Sequence, residues 1–344
     1  MTLFLKYRPQ KIDDLDSEDI RNRLKTIFSS SYIPHAFLFA GPKGTGKTST
    51  ARIIAKILNC EKKDPNPCTK CLACKAIAEG RFLDVVEIDA ASNRGIDEIR
   101  DLREKIKFLP VLGKVKVYII DEVHMLTTEA FNALLKTLEE PPSHATFILA
   151  TTEPDKLPET IRSRCSIFTF RKATPEELVH SLNRVVKGED VTVSKEVVEL
   201  IARSSDGSFR DGTKLLEQAI SEDALTIEGV TKLIGRDIKS ARHLLELILA
   251  KNTTEGLKEM SRLVEKGTSM RYLIEDILES LHTILLIQHG VLERSDLAKL
   301  SQTVSTPDVL SLIRLFGRAF VDQKTTSFPY LPVEVAIVEW CEEK

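Results

Sequence analysis

The stretch 36–48 reads AFLFAGPKGTGKT. AFLFAG at 36–41 is a short apolar run ending in glycine, the pattern of a buried strand feeding a loop. Residues 47–59 then carry helical spacing. Between strand and helix, Gly41-Pro42-Lys43-Gly44-Thr45-Gly46-Lys47-Thr48 fits GxxxxGK[ST] in full, in the context that motif requires. Its glycines let backbone N–H groups converge on phosphate oxygens. Lys47 would reach the β- and γ-phosphates, and the Thr48 hydroxyl would hold Mg²⁺. The helix start, Lys47 to Ser49, adds the favourable field of its N-terminus. The expectation is a nucleoside triphosphate site running from Gly41 through Ser49.

Outward from this loop, strand-length runs recur at 83–89 (LDVVEID), 115–120 (VKVYII), 145–150 (ATFILA) and 167–170. Helical spacing at 128–138 puts Leu134, Leu135 and Leu138 on one face, and Pro141-Pro142 stop that helix. Strands alternating with helices predict a mostly parallel α/β sheet covered on both faces. Val117 to Ile120 deliver Asp121 and Glu122 at a strand end. Asp121 reads as the magnesium-side carboxylate. Glu122 reads as the group that orients and polarises the attacking water, so the pair argues for hydrolysis and not binding alone. After the next strand, the hydroxyl of Thr151 or Thr152 would bond the γ-phosphate or that water, or else cap a turn. Arg162 and Arg164, in IRSRC, are solvated charges unless a partner recruits them. Arg210, in GSFRDG at the start of a later helix, is placed to reach back to the phosphates.

Four of the six cysteines fall in one window as Cys60-x₇-Cys68-x₂-Cys71-x₂-Cys74. A disulfide framework would spread its cysteines along the chain. This spacing reads as a metal site in a reducing compartment. Two CxxC turns and a longer return suit tetrahedral zinc, closed to water and substrate. An iron–sulfur cluster is the alternative. Pro65 and Pro67 stiffen the loop, and Lys62, Lys63, Lys70 and Lys75 offset thiolate charge. Cys165 and Cys341 read as isolated thiols.

Beyond about 171 the strand pattern ends. Residues 175–188, 194–204 and 210–224 read as three helices of a small lid. Helical spacing then continues through 243–249, 255–265, 270–287 and 309–322. The division expected is 1–170 with the cysteine insertion at 60–74, a lid at 171–238, and a helical assembly domain at 239–344. The 344 residues are 42% hydrophobic and 29% charged, enough for real cores in two or three domains. Net charge is −2, which argues against a broad basic face for duplex DNA, so any nucleic-acid contact is local or shared. The opening MTLFLKYRPQK lacks the apolar core of a signal peptide, and apolar runs stay strand-length, which points to the cytoplasm.

The combination resembles the gamma/tau family of bacterial DNA polymerase III subunits, the ATPases of the clamp loader. The match rests on KYRPQ (6–10) with Asp14-Leu15, on 35–60 with the cysteines that follow, and on VYIIDEVHML through SRC (117–165). GSFRDG (207–212) and FPYLPVEVAIVE (328–339) extend it to nearly the whole chain. The resemblance implies an AAA+ module with a helical lid, an embedded zinc knuckle and a C-terminal helical collar. It implies a five-membered ring with copies of the chain and with delta and delta-prime type subunits, which opens a sliding clamp and loads it on primed DNA. Within that ring Arg164 would act in trans on a neighbour's ATP, Thr151 or Thr152 would sense the γ-phosphate, and Arg210 would be the lid sensor. Tyr7, Arg8 and Pro9 would line the adenine side. Such a chain is an ATPase with no polymerase carboxylates of its own; any polymerase label belongs to the assembly. Location at the replisome follows, with no membrane partner. Gly212 departs from the small helix former many relatives carry there, at up to ~1 kcal/mol in helix propensity. The sequence stops just past the collar, as a short gamma-like form or a truncated tau form would. A branch-migration or helicase-type motor would fit the loop and lid but not the knuckle. A scaffold that merely holds ATP would have no need of the Asp121-Glu122 pair.

Overall fold

The computed structural model describes residues 2–342 except 31, 63, 93–103, 105 and 293–296, so Lys63 lies outside the described residues. They divide into two compact units, Met1–Glu222 and Asp223–Lys344.

The first unit carries helices α1 (Leu3–Lys6), α2 (Glu18–Ser29), α3 (Lys47–Asn59), α4 (Leu72–Ala78), α5 (Thr128–Glu139), α6 (Glu159–Arg162), α7 (Pro175–Gly188), α8 (Lys195–Ser204) and α9 (Phe209–Ser221). Its strands are β1 (Ala36–Ala40), β2 (Val85–Asp89), β3 (Lys116–Asp121), β4 (Ala145–Thr151) and β5 (Ser166–Thr169). They form one five-stranded sheet in the order β2-β3-β4-β1-β5. Every pairing is parallel, with Leu38 opposite Leu149 and Ile120 also opposite Leu149 across β4. β1 and β4 are buried along their whole length, as central strands covered on both faces must be. One face packs Phe37, Phe39 and Phe168 against Ile20 and Leu24 of α2 and Ile53 and Ile54 of α3. The other packs Tyr118 and Phe147 against Ala130, Leu134 and Leu138 of α5. The parallel sheet with helices on both faces is the architecture the strand spacing implied.

Of the elements that differ from the sequence reading, two are informative. Helix α2 was not anticipated, although Ile20, Leu24 and Phe28 recur every fourth residue and are buried. The second strand begins at Val85 and not at 83. Leu83 is 67% exposed, and the buried Asp84 carboxylate instead accepts N–H bonds from Val111, Leu112 and Gly113.

In the lid, α7 opens on a capping box between Thr174 and Glu177, with Pro175 at its first position. Ser208 caps α9 through the N–H of Asp211. Gly212 has a local reason: a Cβ there would sit 2.9 Å from Ser205 Oγ, so a bare backbone lets α9 approach the end of α8.

The second unit is entirely helical among the described residues: α10 (Ile227–Leu233), α11 (Ile238–Leu249), α12 (Thr253–Glu265), α13 (Met270–Gln288), α14 (Ala298–Ser301), α15 (Thr306–Asp322) and α16 (Leu331–Glu342). One core joins Leu244, Leu263, Ile277, Phe316 and Ile337, and the buried Trp340 indole donates to Ile248 O at 2.9 Å. The compact units part at Glu222, ahead of the 238/239 boundary drawn from sequence.

Candidate active site and metal centre

The loop between β1 and α3 is shaped by its glycines. Gly41 packs so closely on β5's exit that a Cβ would stand 2.0 Å from Phe170 O. Gly44, at φ +79°, would drive a Cβ to 2.0 Å from Ser208 Oγ, and its carbonyl accepts the Phe209 N–H at 3.0 Å. The loop and the first turn of lid helix α9 are therefore in direct contact. Gly46, at φ +98°, is the N-cap of α3 in the left-handed region that favours glycine.

An open cleft runs from this loop to the N-terminal segment and the lid. Lys43 through Ser49, Asp121, Glu122 and Arg210 line it, and Tyr7, Arg8 and Pro9 form the far wall. Thr48 Oγ1 donates to Asp121 Oδ2 at 2.8 Å, so two oxygens suited to one Mg²⁺ sit side by side. Lys47 is 6% exposed, and its Nζ donates to the carbonyls of Gly41 and Pro42 at 2.7 and 2.9 Å. Burial pulls its ammonium below the ordinary lysine value, against the pull of Glu122 and Asp121. Burial likewise lowers Arg8, helped by Arg52 and Arg210, and Arg8 Nη1 is buried with no hydrogen-bond partner among the described residues. Four cations, Arg8, Lys43, Lys47 and Arg210, thus line one cleft, an arrangement that suits a polyanion.

Glu122 is held at φ +47° where β3 ends. Its Oε2 accepts from Thr152 Oγ1 at 2.9 Å and from Thr152 N at 3.2 Å. Thr151 points elsewhere: its Oγ1 pairs with His124 Nδ1 at 2.9 Å and accepts the Glu153 N–H at 3.0 Å. His124 was not singled out in the sequence, yet it stands 3.5 Å from Glu122 Oε2 and 3.2 Å from Glu153 Oε1. Its position three residues beyond Asp121 was the available signal. Arg164 is not among the cleft residues. It is held on the surface by Glu139 at 2.5 Å and by Thr160 O at 2.8 Å. Arg162 is exposed.

The cysteine cluster assembles as its spacing implied. The Sγ atoms of Cys60, Cys68, Cys71 and Cys74 lie within 4.8 Å of one another, close to the ~3.8 Å edges of a ZnS₄ tetrahedron with ~2.3 Å bonds. Three sulfurs accept backbone N–H bonds within the turns: Cys60 from Cys68, Cys68 from Cys71, and Cys71 from Cys74. Backbone donors at Lys70 and Cys71 pull the Cys68 thiol down to about 6, while burial pushes Cys60 and Cys74 up. The donor set therefore fits a soft divalent cation. Cys165 is a half-buried thiol pushed up to about 12 by desolvation.

A family described as DNA polymerase III, delta subunit, matches residues 17–174, and the DNA polymerase III clamp loader subunit ATPase lid matches 177–222. DNA polymerase III subunit gamma of Buchnera aphidicola (strain Sg) is 37% identical over 288 residues, covering 82% of this chain and 79% of that protein. The chain belongs to the gamma/tau family of clamp-loader subunits. Within that family, subunit tau of Bacillus subtilis is 43% identical over 99% of this chain, and subunit tau of Escherichia coli is 40% identical over 82%. The chain spans 63% and 45% of those two tau proteins. Among solved structures, the Thermotoga maritima RuvB Holliday junction branch migration motor superposes at TM-score 0.50 with 19% identity, over 71% of this chain and 79% of that one. That likeness is one of fold alone. The AAA+-type core, the helical C-terminal region and a cysteine cluster able to hold a metal are thus common ground for sequence and structure.

Proposed function

We propose that this gamma/tau-family chain is an ATP-hydrolysing motor subunit of a clamp loader. On this reading it opens a ring-shaped clamp and loads it on primed DNA, in a five-membered ring with delta and delta-prime type subunits and copies of itself. The carrying observation is the Thr48–Asp121 hydrogen bond inside a cleft that also presents Lys47, Glu122 and Arg210. MgATP supplies the reaction's free energy. Lys47 leaves the loop carbonyls for the β- and γ-phosphates. Thr48 and Asp121 hold the magnesium shell. Glu122, braced by Thr152, orients the attacking water and draws on its proton. Arg210, near the start of α9, couples the phosphates to the lid, because the same helix start already touches Gly44. Tyr7, Arg8 and Pro9 wall the adenine end. The cysteine set holds structural zinc.

Arg164 stands outside its own cleft, which supports a role in trans on a neighbour's γ-phosphate. A cytoplasmic, replisome-associated location accords with the finding that no helix among the described residues is long and apolar enough to cross a membrane. The test is ATP turnover with cognate ring partners, with and without clamp and primed DNA, for the native chain and Arg164→Ala. Stimulation by clamp and DNA that is lost in Arg164→Ala, with ATP binding retained, supports the motor. Turnover indifferent to the clamp points to another AAA+ machine such as a branch-migration motor. Absence of turnover leaves an ATP-holding scaffold.

A further inference from the structure

The cysteine knuckle and the nucleotide cleft share helix α3, and they also share a second element. The chain from Tyr7 to Ser17 runs as a strap along the cleft. Its ends line the cavity, Tyr7-Arg8-Pro9 on one side and Leu15-Asp16-Ser17 on the other. Its middle, Gln10 to Asp14, makes a short turn over Ile12 that is held from the knuckle side at two points.

The first is Lys56, only 2% exposed, whose Nζ donates to Gln10 Oε1. The other end of that amide, Gln10 Nε2, donates to Arg8 O at 2.8 Å, so one side chain links Lys56 to the cleft wall. The carbonyl of Lys56 in turn accepts the N–H of Cys60, the first thiol of the metal set, at 2.7 Å. The second point is Asn66, inside the knuckle loop two residues before Cys68. Its Nδ2 donates to Asp13 Oδ2 at 2.8 Å. Asn66 is placed by the loop that Cys60 and Cys68 close, and a bound cation would fix that closure. The far end of the strap is tied separately, by Arg184 and His180 on Asp16 at 2.7 Å each.

We propose that the knuckle is a metal-dependent latch for this strap, with Lys56, Gln10 and Asn66 as positioning residues that set the affinity for the nucleoside half of ATP. This rests on reading the cleft as an ATP site with its phosphate end at Lys47. The latch acts on the wall and not on the phosphate loop. Its loss therefore weakens ATP while sparing a ligand made of phosphates alone. The strap's tie to the lid keeps the effect partial.

The experiment measures equilibrium binding of MgATP and of magnesium tripolyphosphate to the full chain, with zinc content read by atomic emission. The variants are Gln10→Ala with Asn66→Ala, Gln10→Glu, and Lys47→Ala. Expected are native zinc content in the double variant, a MgATP Kd raised about five- to tenfold from the loss of the three side-chain hydrogen bonds that Gln10 and Asn66 make to Lys56, Arg8 and Asp13, and an unchanged tripolyphosphate Kd. Gln10→Glu keeps an acceptor for Lys56 but loses the donor to Arg8 O, so it raises the MgATP Kd part of the way towards the double variant while leaving tripolyphosphate unchanged. Chelating zinc from the native chain raises the MgATP Kd similarly and adds little in the double variant. The latch is overturned if the double variant, zinc retained, binds MgATP as the native chain does. It is equally overturned if both ligands weaken together, or if chelation acts alike in both proteins. Should chelation unfold the chain, the zinc-retaining variants decide alone. Failure of the cleft reading looks different: Lys47→Ala then binds MgATP as well as the native chain.

Discussion

Helix α3 ends in two candidate ion sites of opposite sign, and the two ends are built differently. At its N-terminus, Gly46 leaves the first-turn N–H groups pointing into the cleft without a side-chain cap. The cleft they open into is lined by cations, among them Lys43, Lys47 and Arg210, beside the carboxylates of Asp121 and Glu122. Lys47 rests on two loop carbonyls and the first-turn N–H groups have no side-chain cap, so the donors there exceed what the protein itself satisfies. At the C-terminus, most polar groups are braced by near neighbours, the buried Asn66 Oδ1 of the knuckle loop being an exception among the described residues. Asn59 Oδ1 accepts the N–H groups of Lys114 and Val115, and Lys114 Nζ donates to Cys60 O. The sulfurs take N–H bonds from their own turns. The helix dipole favours both sites, an anion at one end and a cation at the other. The contrast is one of satisfaction. An end with surplus donors can take and release a ligand in each cycle, whereas an end whose groups are internally paired suits an ion that stays.

The largest effect expected is at the releasing end and concerns rate. Glu122→Gln keeps the shape and one acceptor for Thr152 but is no longer a base. Phosphate release by the assembled ring falls by about a thousandfold, within the range for loss of a general base, while ATP binding persists. Turnover that survives the change removes Glu122 from the mechanism. Next in size is Lys47→Ala, which deletes a buried cation from the phosphate end. The MgATP Kd rises about 100-fold, the scale of lost charge-assisted hydrogen bonds. Calorimetry or a fluorescent nucleotide reads it. A change below about threefold means that the other cations, not Lys47, dominate this end.

The two ends were not equally open to sequence reasoning. The phosphate loop and the cysteines are local signals, in which a few adjacent residues carry both the geometry and the chemistry. What surrounds them is non-local. The strap around Gln10 contacts α3 across a sequence separation of 46 residues, which no spacing pattern reports. Neighbouring residues at a strand end also defeat sequence reading, because successive side chains point to opposite faces. That is why Thr151 and Thr152 look interchangeable in the sequence, yet Thr152 holds Glu122 while Thr151 holds His124. Helix α2 was legible in principle from Ile20, Leu24 and Phe28, but its six charged and amide side chains hide the stripe. Helix α16 is the reverse case. It is apolar on several faces, with Val333 buried and Val335 53% exposed, so no stripe marks its inner side.

A smaller effect probes the braced end through Asp84. Its Oδ2 accepts Leu112 and Gly113 N–H at 2.7 Å each and its Oδ1 accepts Val111 N–H at 2.8 Å. This holds Gly113 so close to α3 that a Cβ would stand 2.3 Å from Asn59 Oδ1. In Asp84→Asn the amide NH₂ faces at least one of those donors, leaving it unpaired at a cost of about 2 kcal/mol. Burial raises the Asp84 carboxyl, but the three backbone donors outweigh it and hold it below the ordinary value. Its contribution is therefore complete above the unfolded pKa of ~3.9 and is lost as pH falls through the lower folded value. Urea unfolding at neutral pH separates the two proteins, and the gap closes under strong acid. A gap that persists there assigns the loss to packing and not to the carboxylate.

The smallest effect tests whether the ion at the braced end truly stays. If zinc binds the folded knuckle and not the unfolded chain, each tenfold rise in free zinc above its Kd adds about 1.4 kcal/mol to stability. The melting temperature of the native chain then climbs steadily with the logarithm of buffered free zinc. In Cys74→Ser, with three thiols left, the line is flat or much weaker. Zinc leaves the protein colourless, so visible absorption accompanying the stabilisation would instead assign the thiols to an iron–sulfur cluster. A melting temperature indifferent to free zinc in the native chain would make the C-terminal end of α3 a brace of backbone and thiols alone. The opposition between the two ends of the helix would then lie only in how well each satisfies its own polar groups.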